Sequence, residues 1–273
     1  MVLKTVENLI LNSDNEMLWE LFHENSKMSF ADPHPVYRLW PSDSSIVAGM
    51  NMLKRVKQYD DYPKIALPEQ WPASRTSLDD VLSLRQTARA FGPDAIELDQ
   101  LAKVLWISYG VNRDNKGTSF PRPFRTVPSG GALYPLELYI YAVRVKHLDT
   151  GLYHYNPEDH SLDVLRQRDE TAWVASCMVQ RDLVESAAAV IFISATFVRS
   201  TFKYGDRGYR FILLEAGHLA QNANLTAQEM GLATTNIGGY ADRAVDRYLD
   251  LDGLNESTIY VLLIGEAVSS ETR

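Results

Sequence analysis

The chain has 273 residues, of which 45% are hydrophobic and 23% charged, as is usual for a folded globular protein. This length allows one large domain or two smaller ones. The formal net charge of −8 disfavours contact with a phosphate backbone and argues against nucleic-acid binding as a main role.

The cysteine content and the apolar runs restrict the location of the protein. Cys177 is the only cysteine, so the chain has no internal disulfide. The first residues lack the apolar core and cleavage site of a signal peptide. The longest apolar runs, residues 187–195 and 259–265, are too short to span a bilayer. We therefore expect a cytoplasmic protein with no membrane segment.

The N-terminal part divides into a helical and a proline-rich stretch. Residues 1–28 are predicted to be helical, because Leu18, Leu21 and Phe22 recur at helical spacing. Residues 29–76 contain six prolines, a density that interrupts regular elements, and are predicted to be irregular.

Regular structure is expected to resume just after this stretch. Ser77 and Asp80 form a capping box before an apolar run, which predicts a short helix. We therefore predict an N-terminal extension at residues 1–75, a helix plus a proline-rich wrap, and a main domain at residues 76–273. A flexible lead-in is the alternative for the extension.

The main domain is predicted to mix helices and strands. Helices are expected at Leu98–Tyr109, 169–186 and 209–230, strands at 136–145, 187–195 and 259–265, a hairpin at 150–165, and a loop at 112–125. Gly110 and Gly231 are expected to end two of the helices, Gly110 in the left-handed conformation. This order predicts an α+β fold with helices packed on a mainly antiparallel sheet.

The sequence PSGGALYP at residues 128–135 is a candidate ligand-binding loop. Adjacent glycines allow the backbone to approach a planar or anionic ligand, because no Cβ intervenes. Ser129 lacks the GxSxG context of a nucleophile. An ordinary turn before a strand is the alternative.

Two further segments could bind a ligand. Arg85, Thr87 and Arg89 alternate after the predicted helix, and two guanidinium groups with a hydroxyl suit a phosphate, although a solvated charged face is the alternative. A second glycine pair, Gly238 and Gly239, could lie against a ring or form a plain turn.

Polar side chains in and before the long helix raise other possibilities. Glu215, His218 and Asn222 form a polar stripe, which we interpret as structural hydrogen bonding at a helix or subunit interface. One Glu-x-x-His pair is too little for a metal site, so none is predicted. Lys203 and Tyr204 could transfer a proton or stabilise negative charge, with a surface turn as the alternative.

Together these segments resemble the nitroreductase-like flavoproteins, and most closely the SagB-type azoline dehydrogenases. The resemblance covers about residues 76–267. RQTARAF is similar to the family's RRSxRxF, with Gln86 and Thr87 in place of the commoner Arg and Ser, and PSGGALYPLELY is similar to its flavin loop. The Lys203–Tyr204 pair is similar to a motif of dehydrogenases that oxidise thiazolines and oxazolines, and FHENSK at residues 22–27 is similar to their lead-in.

The resemblance implies a nitroreductase-like fold with a long central helix at a homodimer interface and FMN as cofactor. It implies catalytic roles for Lys203 and Tyr204. The residues that it implies as FMN contacts are Arg85, Gln86, Thr87, Arg89, Pro128, Ser129, Gly130, Ala132, Gly238 and Gly239. The glycine loop would reach the FMN across the dimer interface.

Three functions are consistent with this sequence. The first is FMN-dependent oxidation of an azoline ring to an azole in a peptide or thiotemplated natural product, with a cyclodehydratase or carrier as a possible partner. The second is an NAD(P)H-dependent nitroreductase or quinone reductase. The third is a non-catalytic flavin-binding scaffold subunit of a biosynthetic complex.

Overall fold

The computed structural model describes residues 18–27, 43–71, 73–74, 76–117 and 122–268. The helix predicted at residues 1–28 is seen as α1 (Leu18–Asn25). Ser26 and Lys27 lie beyond its end, and the rest of that prediction falls outside the described residues.

A seven-stranded sheet with the strand order β1-β6-β5-β4-β7-β9-β8 forms the centre of the fold. Every neighbouring pair of strands is antiparallel. The strands of this sheet are β1 (Lys64–Ala66), β4 (Leu136–Ala142), β5 (Gly151–Asn156), β6 (Ser161–Arg166), β7 (Ala189–Thr196), β8 (Leu232–Ile237) and β9 (Glu256–Glu266). A separate ribbon pairs β2 (Val111–Arg113) with β3 (Phe124–Arg125). The predicted antiparallel α+β architecture is confirmed.

Helices cover both faces of this sheet. Besides α1 they are α2 (Asp43–Met52), α3 (Leu78–Leu84), α4 (Leu98–Tyr109), α5 (Thr171–Ser176), α6 (Arg181–Ser186), α7 (Val198–Tyr204), α8 (Arg207–Glu229) and α9 (Asp242–Tyr248). The 23-residue α8 is the longest of the described helices.

The central strand β4 explains why two cores exist. All seven of its residues are buried, and successive side chains point to opposite faces. Leu138 and Ile140 pack in the core beneath α4 and α8, whereas Tyr139 and Tyr141 pack in the core beneath α5, α6 and α9. A strand buried on both faces fits its sequence, LELYIYA, which is apolar apart from Glu137.

The described part of the extension packs against the main domain. α2 lies within the stretch predicted to be irregular, and its Ile46 and Met50 are buried against Leu133. β1 forms an edge of the sheet. Arg122 bonds the Met50 carbonyl and so caps the C-terminal end of α2. A boundary at residue 75 stays a prediction.

Several local predictions were wrong. Gly110 has φ −68° and ψ 158°, which is extended rather than left-handed. Its lack of a side chain matters for space, because a Cβ there would lie 2.6 Å from the Trp106 carbonyl oxygen. By contrast, the predicted helix end near Gly231 is confirmed, because Gly231 is left-handed, with φ 73°, just after α8. The predicted loop at 112–125 includes strand residues.

The predicted helix at 169–186 is two short helices, α5 and α6, separated by residues 177–180. The reason is tertiary: the Val179 amide bonds the Gly239 carbonyl, and the Ala241 amide bonds the Cys177 carbonyl. Because residues 177–180 bond this neighbouring segment, they do not continue the helix.

Candidate active site

The glycine loop has an unusual backbone. Gly130–Ala132 form a single 3₁₀ turn, and φ is positive at Gly131 (66°), Ala132 (55°) and Tyr134 (47°). Two of these residues carry side chains, so the loop holds conformations that cost energy and depend on the surrounding structure. Ser129 fixes part of this shape, because its Oγ accepts a hydrogen bond of 2.9 Å from the Tyr134 amide.

Lys203 and Tyr204 lie against this loop, although about 70 residues separate them in the sequence. A Cβ built on Gly131 would lie 2.6 Å from Tyr204 Oη and 2.9 Å from Lys203 Nζ. A Cβ on Gly130 would lie 3.2 Å from the Phe211 ring, which itself packs edge-on against Tyr204 at 5.0 Å. The amine and the phenol therefore meet at the glycine pair, at the C-terminal end of α7.

A buried ion pair holds α7 in this place. Arg199, one turn before Lys203, pairs at 2.6 Å with Glu137, which follows the glycine loop in β4. His154 lies between Glu137 (2.9 Å) and Asp163 (3.0 Å) with no exposed side-chain area.

The charges of this cluster stabilise one another. Burial alone would raise the pKa of Glu137, but Arg199 and His154 outweigh it and lower that pKa to about 2. Burial opposes protonation of His154, but hydrogen bonds to Asp163 and Glu137 raise its pKa. The start of β4, which follows the glycine loop, and the start of α7 are therefore held together by charged side chains.

The polar stripe of α8 divides between two environments. Glu215 is 2% exposed and accepts a hydrogen bond of 3.0 Å from the Tyr109 hydroxyl, whereas His218 is exposed. The Arg125 guanidinium lies 4.2 Å above the Tyr109 ring. Tyr109 and Arg125 were not among the predicted site residues, because no local motif marks them.

Three of the other predicted contacts line a cavity of about 540 Å³. Gln86, Thr87 and Arg89 line it, together with Ala88, Ala90, Gln228, Gly231, Leu232, Ala233, Ala267 and Val268. Within the described ranges, neither Arg85 nor Arg89 forms an ion pair. Guanidinium groups without a carboxylate partner at a cavity can bind an anion.

Strand β8 positions this arginine segment. The Ala88 amide bonds the Thr234 carbonyl at 2.9 Å, and the Thr235 hydroxyl bonds the Ala88 carbonyl at 2.7 Å. The same strand ends next to the second glycine pair. No atom lies within 4 Å of a Cβ built on Gly238, whereas one on Gly239 would lie 3.0 Å from Val179.

The predicted contacts thus fall into two groups at opposite ends of α8. Phe211 touches the glycine loop at one end, and Gln228 lines the arginine cavity at the other. Seventeen residues of helix separate them, roughly 25 Å at 1.5 Å per residue. A single chain brings the loop to Lys203 and Tyr204, but it does not bring the loop to the arginines.

The described residues contain no group of three or more His, Cys, Asp or Glu side chains that could hold a metal ion. None of the helices seen in residues 18–268, outside the gaps given above, is long and apolar enough to cross a membrane.

Comparison with known proteins identifies the class. The family model described as "Nitroreductase family" matches residues 82–266, and this chain belongs to the nitroreductase family. It is an oxidoreductase family, as the name states.

Three curated relatives show which members of the family this chain resembles. MJ1384 of Methanocaldococcus jannaschii, named as a nitroreductase, is 34% identical over 70% of this chain and 91% of its own length. The microcin B17-processing protein McbC of Escherichia coli is 31% identical over 52% of this chain, and the trifolitoxin-processing protein TfxB of Rhizobium leguminosarum is 26% identical over 76%. The matches span only 54% of McbC and 58% of TfxB. The predicted resemblance to SagB-type members of this family is confirmed.

Solved structures agree on the fold. A crystal structure of a protein from Ralstonia eutropha, named as a nitroreductase, superposes with a TM-score of 0.63 at 28% identity. The match covers 80% of this chain and 95% of that one.

Proposed function

We propose that this chain is an FMN-dependent dehydrogenase that oxidises an azoline ring to an azole in a peptide or thiotemplated natural product. One observation carries the proposal: Lys203 Nζ and Tyr204 Oη both face Gly131 in the glycine loop. The relatives McbC and TfxB are named for the processing of microcin B17 and of trifolitoxin, which supports a role in the processing of a natural product.

The residues fit FMN at both ends of α8. Gln86, Thr87 and Arg89 line the 540 Å³ cavity, and together with Arg85, which precedes them in the sequence, they offer charge and hydrogen bonds to a phosphate. Where the ring would lie, Gly131 has no room for a Cβ and Gly238 faces open space. The proposed ring contacts are Pro128, Ser129, Gly130, Ala132, Gly238 and Gly239.

The chemistry then divides between cofactor and chain. FMN, when bound, supplies a two-electron acceptor for the hydride that leaves the ring carbon. Lys203 and Tyr204 take up the proton from the neighbouring ring atom, or stabilise the charge that its loss creates. Acid–base catalysis of this kind typically contributes about 10²–10⁴-fold.

Separation of the two contact groups supports a homodimer. Two copies of α8 related by a twofold axis would place the loop end of one chain beside the arginine end of the other. Exposed leucines suit such an interface: Leu213 and Leu214 on α8 are 42% and 58% exposed, and Leu82 on the adjoining α3 is 49% exposed. The FMN site would then be shared between the subunits.

The N-terminal extension has a structural role in this proposal. Phe22 packs edge-on against Tyr209 at 5.4 Å, and Arg210 bonds Ser26 Oγ at 2.8 Å, so α1 lies against the start of α8. Docking of a cyclodehydratase or carrier through this extension, and a cytoplasmic location, stay predictions.

Stopped-flow spectroscopy of the flavin tests the function. The purified holoprotein is mixed anaerobically with a thiazoline peptide or with NADPH, and bleaching of the flavin absorbance is followed. We expect rapid bleaching by the peptide, slowed about 10²–10⁴-fold in Lys203→Ala and unchanged in the exposed control Lys116→Ala. An unchanged rate in a Lys203→Ala protein that binds FMN would exclude the assigned role.

The same experiment separates the alternatives. Rapid bleaching by NADPH with none by the peptide would favour the NAD(P)H-dependent reductase, which the similarity to MJ1384 also supports. Bound flavin that neither donor reduces would favour the scaffold subunit.

A further inference from the structure

Arg199 connects helix α7 to the central sheet. Its side chain is buried, and its Nη1 lies 2.6 Å from Glu137 Oε1 in β4. Arg199 and Lys203 are four residues apart in the helix, so they lie on the same side of it. A helix of seven residues is marginal by itself, and its position therefore depends on contacts of this kind.

Glu137 is held in place from two further directions. Its Oε2 lies 2.9 Å from His154 Nε2, and its Oε1 accepts a 2.7 Å hydrogen bond from the Lys57 amide. His154 Nδ1 lies 3.0 Å from Asp163. Because ionised carboxylates only accept hydrogen bonds, both ring nitrogens of His154 donate, and the ring is positively charged. Two carboxylates, this imidazolium and the Arg199 guanidinium thus form one charged cluster.

The N-terminal extension closes over this charged cluster. Tyr59 packs on the His154 ring with the ring centres 4.8 Å apart. Lys57 Nζ pairs at 2.7 Å with Glu256, whose Oε1 accepts a 3.0 Å hydrogen bond from the Thr196 hydroxyl shortly before α7. The extension therefore contacts both the cluster and the segment that leads into α7.

We propose that Arg199 is a positioning residue, which holds Lys203 and Tyr204 against the glycine loop through its ion pair with Glu137. An ion pair suits this task, because it depends on the distance and direction between particular atoms, whereas apolar contacts are not directional. This inference rests on the proposed function, in which Lys203 and Tyr204 act on the proton of the azoline ring.

The variant Arg199→Met tests this inference in the full chain. Methionine is uncharged, and Glu137 keeps His154 and the Lys57 amide as partners, so no buried charge is left unpaired. Hydrogen exchange of the apoprotein, followed by mass spectrometry, measures the position of α7. We expect the amides of residues 198–205 to exchange at least about tenfold faster than in the wild type, while those of β7 keep their rates.

Flavin reduction in the FMN-loaded protein gives the second measurement. At saturating thiazoline peptide, Arg199→Met should be slowed about 10- to 100-fold, because the amine and the phenol leave their positions. The peptide concentration that gives the half-maximal rate should stay nearly unchanged.

A second variant and a control complete the test. Glu137→Gln/Arg199→Met removes one charge of each sign, should repeat both effects, and decides if Arg199→Met does not fold. Lys103→Met is the matched control, because Lys103 and Glu229 form a largely buried ion pair at the opposite end of α8. It should lower stability in urea but leave the exchange of residues 198–205 and the rate of flavin reduction at wild-type values.

The outcomes separate this inference from the proposed function. Wild-type exchange at residues 198–205 in folded Arg199→Met would overturn the inference, and so would fast exchange there with an unchanged rate of flavin reduction. A wild type whose flavin the thiazoline peptide does not reduce would remove the proposed substrate. Hydrogen exchange alone would then decide, and fast exchange in Arg199→Met would retain Arg199 as the residue that holds Lys203 and Tyr204.

Discussion

The two ends of α8 differ in how far their polar groups are satisfied within one chain. At the N-terminal end, Glu215 and Ser129 already have protein partners, and the nearby Glu137–Arg199 pair is buried. At the C-terminal end, Arg89 lines a cavity, and neither Arg89 nor Arg85 has an ion-pair partner among the described residues. One end is preorganised to position groups, and the other is suited to capture an anion.

This difference predicts different consequences of mutation. Changes at the arginine end should weaken cofactor binding, since a charged ligand group loses its donors. Changes at the loop end should slow the reaction instead, because Lys203 and Tyr204 move from their positions against the loop.

The largest effect is expected from the double variant Arg85→Ala/Arg89→Ala. Loss of two hydrogen-bonding groups to a phosphate removes roughly 1.5–3 kcal/mol each, which weakens FMN binding by about 10²–10⁴-fold. Titration of the apoprotein with FMN, followed by flavin fluorescence, measures this change. The exposed Arg168→Ala variant is the control, and equal affinities for both proteins would remove the arginines from the site.

A charge in the proposed interface should separate the subunits. Leu214→Asp buries a carboxylate in each of two symmetry-related positions, which we expect to weaken the dimer by at least about 100-fold and to release FMN with it. Light scattering after size-exclusion chromatography measures the mass. Leu254→Asp is the control, since Leu254 is 79% exposed on the turn before β9. A Leu214→Asp protein that remains dimeric would place the interface elsewhere.

Glu215 should also make stability depend on pH. Because the native state raises its pKa from 4.5 to about 7, the native state binds the proton more tightly than the unfolded chain. Stability is therefore lost as pH rises from about 4.5 to 7, by about 3 kcal/mol in all. The Glu215→Gln variant should not show this loss, so its stability relative to the wild type should increase as pH rises.

Urea unfolding of the apoprotein at pH 5 and pH 9 measures that difference, at one protein concentration. Glu185→Gln should follow the wild type. A constant difference between Glu215→Gln and wild type at both pH values would contradict a raised pKa.

The elements that have a clear local sequence signal were predicted correctly. Ser77 caps α3 and accepts the Asp80 amide as its sequence indicates, and the long helix was found within two residues of each end. Strand β8 was missed because its sequence, LATTNI, has little hydrophobic alternation, and its place depends on pairing with β9. The short helices α7 and α9 were missed as well, since both are shorter than a clear periodic pattern requires.

The candidate site shows the same limit. The polar stripe containing Glu215 could be recognised as needing partners, but its partner Tyr109 is 106 residues away and carries no motif. Likewise, a surface turn was the alternative for Lys203 and Tyr204, whereas they end helix α7 and face Gly131. Contacts between residues so far apart in the sequence are determined by the packing of α7 and α8 on the sheet.

The smallest effect, and the sharpest test of the loop end, comes from Gly131→Ala. Gly131 has φ 66° and would place its Cβ against Tyr204 and Lys203, whereas Gly117 has φ 86° and nothing within 4 Å of its Cβ. Alanine in the left-handed conformation should cost each variant about 1–2 kcal/mol in stability. Only Gly131→Ala also displaces the amine and phenol, so only that variant should slow flavin reduction by the azoline peptide, by roughly 10- to 100-fold.

Thermal unfolding and stopped-flow reduction of the two glycine variants separate strain from displacement. FMN affinity should change little in either protein, because the arginine end is intact. Equal turnover by Gly117→Ala and Gly131→Ala would mean that the position of Lys203 and Tyr204 at the loop is unimportant for the reaction. Slow turnover by Gly131→Ala alone, with FMN still bound, would assign positioning to the loop end and capture to the arginine end.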